Sequence, residues 1–426
     1  MADVAARALA GSGVAVREAG PLDAVGGVRP GLVALPESVE EISALLRACA
    51  AADLATVTVG GGTKLDWGAP PERCDVLIDT CCMNEIIEHA AGDLVVRAQA
   101  GVTLAALAAH LAAQGQELVY DGPFRDEATV GGLLATGATG PRSFRYGTPR
   151  DLLIGITVVL ADGTIAKSGG KVVKNVAGYD LGKLFTGSFG TLGVIAEATF
   201  RLHPLAAERV WVRTRVAPPQ VQEFAVRLAA AQAEPAAVEL DWPGTSGPVT
   251  IAALVEGAAA ERRARALLDS EGDGGGLVGE GGRGDGEGDA DGGEVALMGG
   301  HGGMPAWWGE VGDGEWLAEV RCLPDRVSGV LGALEGSGLA LRGSPVSGRF
   351  FLWGDGSEAG AGAGAGFGFG KAVDGLRGAG ARVSVLASPY AVDRWGEVSA
   401  LPLMRRVKER FDPGRRMSPG RFVGGI

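Results

Sequence analysis

Apolar residues recur at helical spacing in two stretches of the first half of the chain, and each stretch begins with a capping residue. Ser38 followed by Glu41 has the spacing of a capping box. The apolar positions that follow lie on one face of a predicted helix: Val39, Ile42, Leu45, Leu46 and Cys49. Thr103 predicts the start of a second helix, and Gly115 suits its end.

Short apolar runs between and after these helices predict β-strands. The predicted strands cover residues 56–59, 76–78, 94–100, 152–160 and 194–202. Asp162-Gly163, directly after the fourth run, is a strong hairpin signal. Strand–helix–strand units at this spacing indicate a small lobe of mixed helices and strands.

The chain's 426 residues suggest two or three domains, and the sequence after residue 205 has the pattern of a separate domain. We predict a loose N-terminal segment over residues 1–30, a first domain over 31–205 and a second over 206–426. Within the second domain, residues 271–294 are half glycine and carry eight acidic residues. Such a segment cannot bury enough apolar surface to offset the entropy of ordering its backbone, so we predict a disordered insert there. The Gly-Ala-rich stretch 356–370 is predicted to be a second insert.

Composition excludes several classes of protein. The net charge of −12 argues against binding nucleic acid through bulk electrostatics. An odd number of cysteines, five, without any C-x-x-C pair gives no sign of a disulfide framework or of a zinc or iron–sulfur site, and no metal site is predicted. The sequence contains no apolar run of about 20 residues, so no transmembrane span is predicted. The N-terminus gives no secretory signal, and we expect a reduced, cytoplasmic protein.

The loop after the first predicted strand carries candidate ligand-binding chemistry. It reads Gly60-Gly61-Gly62-Thr63-Lys64. Successive glycines can bring their N–H groups together as a binding site for an anion. Thr63 would add a hydroxyl donor and Lys64 a positive charge. The alternative is a tight turn between strand and loop without a ligand.

A second candidate stretch, residues 128–140, consists mostly of small residues with hydroxyls between glycines. Such a stretch would let a large flat ligand lie directly on the backbone. The alternative is a surface of small residues packed between secondary-structure elements.

The order of motifs along the chain is more specific than either loop. The chain runs through P-E-S-V-E-E-I, V-G-G-G-T-K, A-G-V-T-L-A-A-L, A-T-V-G-G-L-L-A-T-G-A-T-G-P-R-S-F-R-Y-G, R-D-L-L-I-G, N-V-A-G-Y-D-L-G-K-L and G-S-F-G-T-L-G-V-I. This order resembles the PCMH-type FAD-binding domain of the vanillyl-alcohol-oxidase family. Within that family, G-P-R…R-Y-G and G-G-K-V-V-K-N-V-A-G-Y-D-L resemble the FAD-binding E subunit of bacterial glycolate oxidase.

The resemblance implies an α+β fold in which two subdomains hold FAD, followed by an α+β C-terminal domain that carries the Gly-rich inserts. It assigns the pyrophosphate to the loop at 60–64, the diphosphate, ribose and flavin to the second stretch, and the adenine or ribitol side to the strand entry at 193–195. The implied FAD-binding residues are Gly60, Gly61, Gly62, Thr63, Lys64, Thr129, Val130, Gly131, Gly132, Thr136, Gly137, Ala138, Gly140, Gly193, Val194 and Ile195. Some relatives attach the flavin covalently through a histidine in the first loop. Position 64 is Lys here, so we expect non-covalent FAD.

The resemblance also implies partners and an activity. They are a second, catalytic FAD subunit and an iron–sulfur subunit of a glycolate oxidase complex, which acts on a small 2-hydroxy acid. These partners would bring the chain to the inner face of the cell membrane as a peripheral component. Related catalytic subunits carry a histidine-rich site in their C-terminal half, whereas here only His301 lies beyond residue 203. We therefore assign no catalytic residue.

Three interpretations of the activity stay open. The first is the FAD subunit of a glycolate oxidase or dehydrogenase. The second is a stand-alone FAD oxidase of another small alcohol or acid, with Tyr, Asp or Lys as its base. The third is a scaffold subunit without redox turnover. The closing segment contains Arg415, Arg416 and Arg421, which would either supply charge near the flavin or lie on an exposed basic terminus.

Overall fold

The computed structural model describes residues 2–170, 180–272, 296–299, 303–354 and 365–426. His301 and most of the two predicted inserts lie outside these residues. The chain divides into two compact units. The first comprises residues 1–139, 147–205 and 397–426, and the second comprises residues 140–146 and 206–396.

Both units contain helices and mainly antiparallel strands, in agreement with the predicted α+β class. The helices are α1 (Ala2–Leu9), α2 (Val39–Ala51), α3 (Leu104–Ala112), α4 (Val130–Thr136), α5 (Ser143–Tyr146), α6 (Pro149–Leu152), α7 (Val221–Ala230), α8 (Ala260–Gly272), α9 (Val327–Leu334), α10 (Ala365–Gly378) and α11 (Leu401–Phe411). The strands of the first unit are β1 (Ala15–Glu18), β2 (Leu32–Leu35), β3 (Thr56–Val59), β4 (Val76–Asp79), β5 (Ile86–Ala90), β6 (Val95–Gln99), β7 (Gln116–Glu117), β8 (Leu153–Val159), β9 (Ile165–Gly169), β10 (Val194–Arg201) and β11 (His203–Pro204). The strands of the second unit are β12 (Arg209–Val216), β13 (Ala237–Trp242), β14 (Val249–Glu256), β15 (Ala296–Gly299), β16 (Trp316–Arg321), β17 (Ala340–Ser344), β18 (Arg349–Gly354) and β19 (Arg382–Ala387).

The two predicted helix starts form as their sequences indicate. The Ser38 hydroxyl accepts the backbone N–H of Glu41 at 3.1 Å, and the Glu41 carboxylate accepts the N–H of Glu37 at 2.8 Å. The Thr103 hydroxyl accepts the N–H of Ala106 at 3.2 Å. Each cap satisfies donors that the first turn of a helix leaves unbonded.

Two sheets build most of the first unit. Strands β1, β2, β4 and β3 form one sheet in that order, with β2, β4 and β3 parallel and β1 antiparallel to β2. Strands β5, β6, β10, β8 and β9 form the other sheet, and all of its pairings are antiparallel. Helix α2 buries Ile42 and Leu45 in a core that also holds Ile78 of the first sheet and Val194 of the second. That shared core packs the two sheets of the first unit together.

The N-terminal segment is more ordered than predicted for residues 1–30. Helix α1 buries Ala5 and Leu9 in the same core, and β1 pairs with β2. A four-residue spacing puts both apolar side chains on one face of the helix, which explains their burial.

The C-terminal boundary also differs from the prediction, because residues 397–426 belong to the first unit instead of the second. The Lys408 ammonium donates to the Asp412 carboxylate at 2.7 Å and to the backbone oxygens of Thr191 and Met417 at 2.8 Å each. Lys408 is 4% exposed and Asp412 0%. The Thr56 N–H in turn donates to the Arg416 oxygen at 2.7 Å, which ties this segment to β3.

The second unit is built on one sheet of eight antiparallel strands in the order β15, β12, β14, β13, β17, β18, β16, β19. Side chains from one face of the sheet pack with α7, α8, α9 and α10 in a single core. Trp316 is buried there and stacks on Phe369 with ring centroids 4.4 Å apart. Because Phe369 lies in α10, the predicted insert at 356–370 is wrong from residue 365 onward. No helix within the described ranges is long and apolar enough to cross a membrane.

The buried Lys408–Asp412 pair gives a test of how the C-terminal segment is held. Lys408→Met would leave the Asp412 carboxylate buried without its cation, and we expect the free energy of unfolding to fall by about 3–5 kcal/mol. Urea unfolding followed by circular dichroism measures this. As a control, Asp180→Asn removes the more exposed pair with Lys183, whose ionic contact is 3.1 Å long, and should cost less than about 1 kcal/mol. Equal losses in the two variants would contradict this role of Lys408.

Candidate functional site

The loop that follows β3 forms one wall of a cleft in the first unit. The cleft has an empty volume of about 780 Å³ when its solvent-open part is included. Its lining residues are Val57, Thr58, Val59, Gly60, Gly61, Gly62, Thr63, Lys64, Leu65, Thr80, Ala100, Thr129, Gly131, Gly132, Ala135, Thr136, Phe189, Gly190, Gly193, Ile195 and Arg421. The three predicted stretches at 60–64, 129–140 and 193–195 thus each contribute to one cleft.

The backbone N–H groups of residues 60–64 form the most distinctive feature of this cleft. In the part of the chain that the structure describes, no protein group accepts a hydrogen bond from any of these five N–H groups. Gly62 has a φ of +72°, and a Cβ placed there would meet nothing within 4 Å. A run of consecutive unbonded N–H groups with a residue in the left-handed region is the backbone arrangement that binds anions.

Gly60 and Gly61 are required for a different reason, namely close packing. A Cβ on Gly60 would lie 2.1 Å from the Thr129 hydroxyl, and a Cβ on Gly61 would lie 2.1 Å from the Glu127 backbone oxygen. Only glycine allows the loop to approach the start of α4 this closely. The loop at 60–64 and the start of α4 therefore pack directly against each other.

The stretch after residue 128 differs from the backbone surface predicted for it, because Val130–Thr136 is helix α4. The Val130 N–H bonds to the Val102 oxygen at 2.9 Å, and the Gly132 N–H bonds to the Thr129 hydroxyl at 3.2 Å. These amides are already satisfied and cannot serve a ligand. The helix instead presents one face of small residues to the cleft, formed by Gly131, Gly132, Ala135 and Thr136.

Five of the predicted site residues lie away from this lining. The Val130 side chain is fully buried, and Val194 belongs to the core that contains α2. Gly137 ends α4 in the left-handed conformation with a φ of 63°, and Ala138 is buried. Gly140 belongs to the second unit.

Two positive side chains line the cleft within the described ranges, and they come from opposite ends of the chain. Lys64 is 8% exposed, donates to the Thr63 hydroxyl at 3.2 Å and lies 5.2 Å from the centre of the Phe124 ring. Burial lowers the pKa of Lys64 to about 8. Arg421 is 4% exposed and donates to the backbone oxygens of Leu65 and Trp67 at 2.7 Å each. None of the described residues that line the cleft carries a carboxylate.

Sequence reasoning named Arg421 only as one of three arginines in a basic closing segment. The structure distinguishes Arg421 from Arg415, because Arg415 is exposed and donates a hydrogen bond to the Gly425 oxygen.

Sequence reasoning also missed Thr58 as a residue of the cleft. Its hydroxyl oxygen is buried at the cleft and has no hydrogen-bond partner among the described residues. The alternation of β3 gave no signal for it, since Thr58 is one of two threonines in a four-residue strand.

Comparison with known proteins identifies the domain that contains most of this cleft. Residues 30–169 match the family model described as an FAD binding domain. This match agrees with the PCMH-type FAD-binding domain, similar to that of the vanillyl-alcohol-oxidase family, that the motif order indicates for this part of the chain. The recognition made from the motif order is therefore confirmed at the level of the family.

Two curated relatives each match about two fifths of the chain. D-2-hydroxyglutarate dehydrogenase of Xanthomonas citri pv. viticola is 39% identical over 175 residues, which cover 41% of this chain and 37% of that protein. Glycolate oxidase subunit GlcD of Bacillus subtilis (strain 168) is 37% identical over 175 residues, with the same two coverages. The match thus spans less than two fifths of each relative's length. The narrower assignment to the E subunit stays a prediction.

A solved structure extends the likeness in fold to nearly the whole chain. The crystal structure of p-cresol methylhydroxylase with substrate bound has a TM-score of 0.71 and 17% sequence identity, covering 92% of this chain and 89% of that one. At this level of identity the likeness concerns the fold alone.

The residues present fit FAD, which is the cofactor of this domain family. The free N–H groups at 60–64, together with Lys64 and Arg421, suit the negative charge of a diphosphate. The orphaned Thr58 hydroxyl gains a partner if a polar ligand group occupies the cleft. The small side chains of α4 leave room for a bulky ligand beside the loop.

Substitution of Gly61 tests the contact between the glycine loop and α4. We expect Gly61→Ala to weaken FAD binding by at least about tenfold, or about 1.4 kcal/mol, because the added Cβ displaces the loop from Glu127. Quenching of flavin fluorescence during titration measures the affinity. Gly92→Ala is the matched control, since a Cβ at Gly92 meets nothing within 4 Å. Unchanged FAD affinity in a folded Gly61→Ala protein would contradict the assignment of the loop.

The lowered pKa of Lys64 predicts a pH-dependent affinity for FAD. Below pH 8 the Lys64 side chain already carries its charge before FAD binds. Above pH 8 most of the Lys64 side chains are neutral, and each must take up a proton when FAD binds, because the diphosphate raises the pKa of Lys64. The dissociation constant should then increase with pH above about 8, by up to about tenfold per pH unit. Titrations from pH 6.5 to 9.5 measure this. The Lys64→Gln variant should bind FAD more weakly at pH 7, and its dissociation constant should no longer increase above pH 8. The same pH profile in both proteins would show that the titration of Lys64 does not cause the pH dependence.

Proposed function

We propose that this chain binds FAD non-covalently and serves as the FAD-binding subunit of a multisubunit 2-hydroxy-acid oxidase or dehydrogenase of the glycolate oxidase type. The observation that carries the proposal is the run of five unbonded N–H groups at 60–64, beside two buried cations, in a domain whose family binds FAD. The relatives reported above, whose names specify a D-2-hydroxyglutarate dehydrogenase and a glycolate oxidase subunit, support the substrate class.

The lining of the cleft supports non-covalent binding. Covalent attachment of a flavin requires a nucleophilic side chain such as His, Cys or Tyr at the cofactor. The cleft lining, as far as the structure describes it, contains none of these residue types. The first loop, in which covalent attachment through a histidine would be expected, carries Lys64 and no histidine. We therefore assign Lys64 a role in charge neutralisation.

Bound FAD would supply two-electron oxidation of the substrate's C–H bond. The chain's own residues hold the cofactor but offer no proton acceptor beside it, because the titratable groups of the described lining are Lys64 and Arg421, both mainly cationic at pH 7. Oxidation of a 2-hydroxy acid needs a base whose pKa lies near the working pH. His301 is the only histidine between residues 204 and 426 of the sequence.

This distribution of groups favours a division of labour between subunits. In the proposal, a second FAD-containing subunit provides the proton acceptor and the site for the 2-hydroxy acid. An iron–sulfur subunit carries electrons onward, since the five cysteines of this chain include no C-x-x-C pair. We place the complex in the cytoplasm, where partner subunits would hold it at the inner face of the membrane.

The decisive experiment uses the full chain loaded with FAD, first alone and then with its co-purified partner subunits. Under anaerobic conditions, glycolate, D-lactate and D-2-hydroxyglutarate are each added, and absorbance at the flavin bands is followed. We expect the flavin of the single chain to stay oxidised with all three acids, whereas the assembled complex is bleached by at least one of them. Omitting this chain from the complex should abolish the reaction with an external electron acceptor.

Each other outcome rejects a specific part of the proposal. Bleaching of the single chain at a catalytic rate would show a stand-alone oxidase. A chain that binds no FAD, in a complex that keeps full activity without it, would show a scaffold subunit. Flavin that stays with the protein after denaturation in acid would show covalent attachment. In the proposed case, acid denaturation releases all of the flavin.

A further inference from the structure

Two adjacent thiols lie on a tight turn directly after β4. Cys81 and Cys82 are the central residues of the turn, which is closed by the Met83 N–H donating to the Thr80 oxygen at 2.9 Å. Both cysteines are exposed and reduced, and their Sγ atoms lie 3.7 Å apart. Neither residue lines the FAD cleft, so the proposed function gives this pair no role.

Hydrogen bonds on both sides hold the turn in this shape. The Cys81 N–H donates to the Asp79 carboxylate at 3.0 Å, and the Asn84 amide donates to the Cys81 oxygen at 3.1 Å. The Gly101 N–H donates to the Met83 oxygen at 2.8 Å. Because the backbone is already fixed, bringing both sulfur atoms to one ligand costs little additional conformational entropy.

The chemistry of the pair limits which ligand it can hold. Partial desolvation of its sulfur, the Asp79 carboxylate and the neighbouring thiol raise the pKa of Cys81 to about 12, so this thiol is protonated at neutral pH. A protonated thiol is a poor nucleophile for alkylation or disulfide exchange. A zinc ion would need four donors, and no group of three or more potential ligands is found in the described part of the chain.

A trivalent arsenical with one organic substituent meets these limits. Its arsenic atom has two exchangeable oxygen positions, so two thiols complete its coordination. The exchange consumes protonated thiols and releases water, which means that no free thiolate has to accumulate. Two thiols held 3.7 Å apart are close enough to bond to the same atom.

We propose that Cys81 and Cys82 form a binding site for trivalent arsenicals. The thiols react with an organoarsenic oxide, R–As=O, to give R–As(S-Cys81)(S-Cys82) and one molecule of water. Two S–H bonds and the As=O bond break, two As–S bonds and two O–H bonds form, and no atom changes oxidation state. The first residue of the turn, Thr80, lies in the FAD cleft, so the site is adjacent to the cofactor site without sharing its ligands.

The test uses the full-length, FAD-loaded chain, reduced and then freed of reductant, with all five thiols confirmed by titration after denaturation. Phenylarsine oxide is added at equimolar concentration, and intact mass spectrometry follows the adduct. We expect one phenylarsenic group per chain, removed by a dithiol but not by an equal concentration of a monothiol. Cys81→Ser and Cys82→Ser should each weaken binding by at least about 100-fold, because the second bond is no longer intramolecular.

Cys74→Ser is the matched control, since Cys74 is a buried free cysteine outside the turn. This variant should bind phenylarsine oxide as the unmodified chain does. Binding that persists in Cys81→Ser, or a fully reduced chain that forms no adduct, would overturn the proposal. Neither variant alters the FAD lining, so flavin content reports separately on whether the protein is folded.

Discussion

Five consecutive N–H groups without an acceptor among the described residues are the feature on which the rest of the first unit depends. A folded chain pairs nearly all of its backbone donors, and helix and strand ladders account for most of them. Here the chain stops pairing at Gly60 and resumes only with Leu65, whose N–H donates to the Gly62 oxygen. The loop keeps this shape because Gly60 and Gly61 rest directly against Thr129 and Glu127. An anion that accepts from these donors therefore binds to a conformation that is already formed, which lowers the cost of binding.

The last residues of the chain hold this loop from the other side. Arg421 donates to the oxygens of Leu65 and Trp67, and its own backbone oxygen accepts the N–H of Ala69. The position of Arg421 depends in turn on the buried contact between Lys408 and Asp412. A charge buried with three oxygen acceptors is stable only while all of them stay in place. The first unit is thus completed by residues 397–426, which follow in sequence the residues 206–396 that belong to the second unit.

Local sequence signals predicted the elements that local interactions determine. Ser38 and Thr103 marked helix starts correctly, since a side chain capping its own helix is visible in a few residues of sequence. The Lys408–Asp412 pair was not distinguishable from an exposed pair at the same spacing, because only tertiary contact with Thr191 makes it buried. Helix α4 was also missed. Gly131 and Gly132 disfavour a helix, and the burial of Leu133 and its neighbours against the rest of the unit outweighs that preference.

The charges of the cleft separate two tasks that a flavin-dependent site must perform. In the proposed function Lys64 and Arg421 would neutralise a bound anion, and the absence of any carboxylate in the described lining keeps the field there positive. A base placed in the same field would have its pKa lowered and would be less able to take a proton from a hydroxyl group. A cleft optimised for holding a dinucleotide is for this reason a poor place for proton abstraction. Placing the proton acceptor on another protein surface resolves that conflict, and it agrees with a chain that has only one histidine after residue 203.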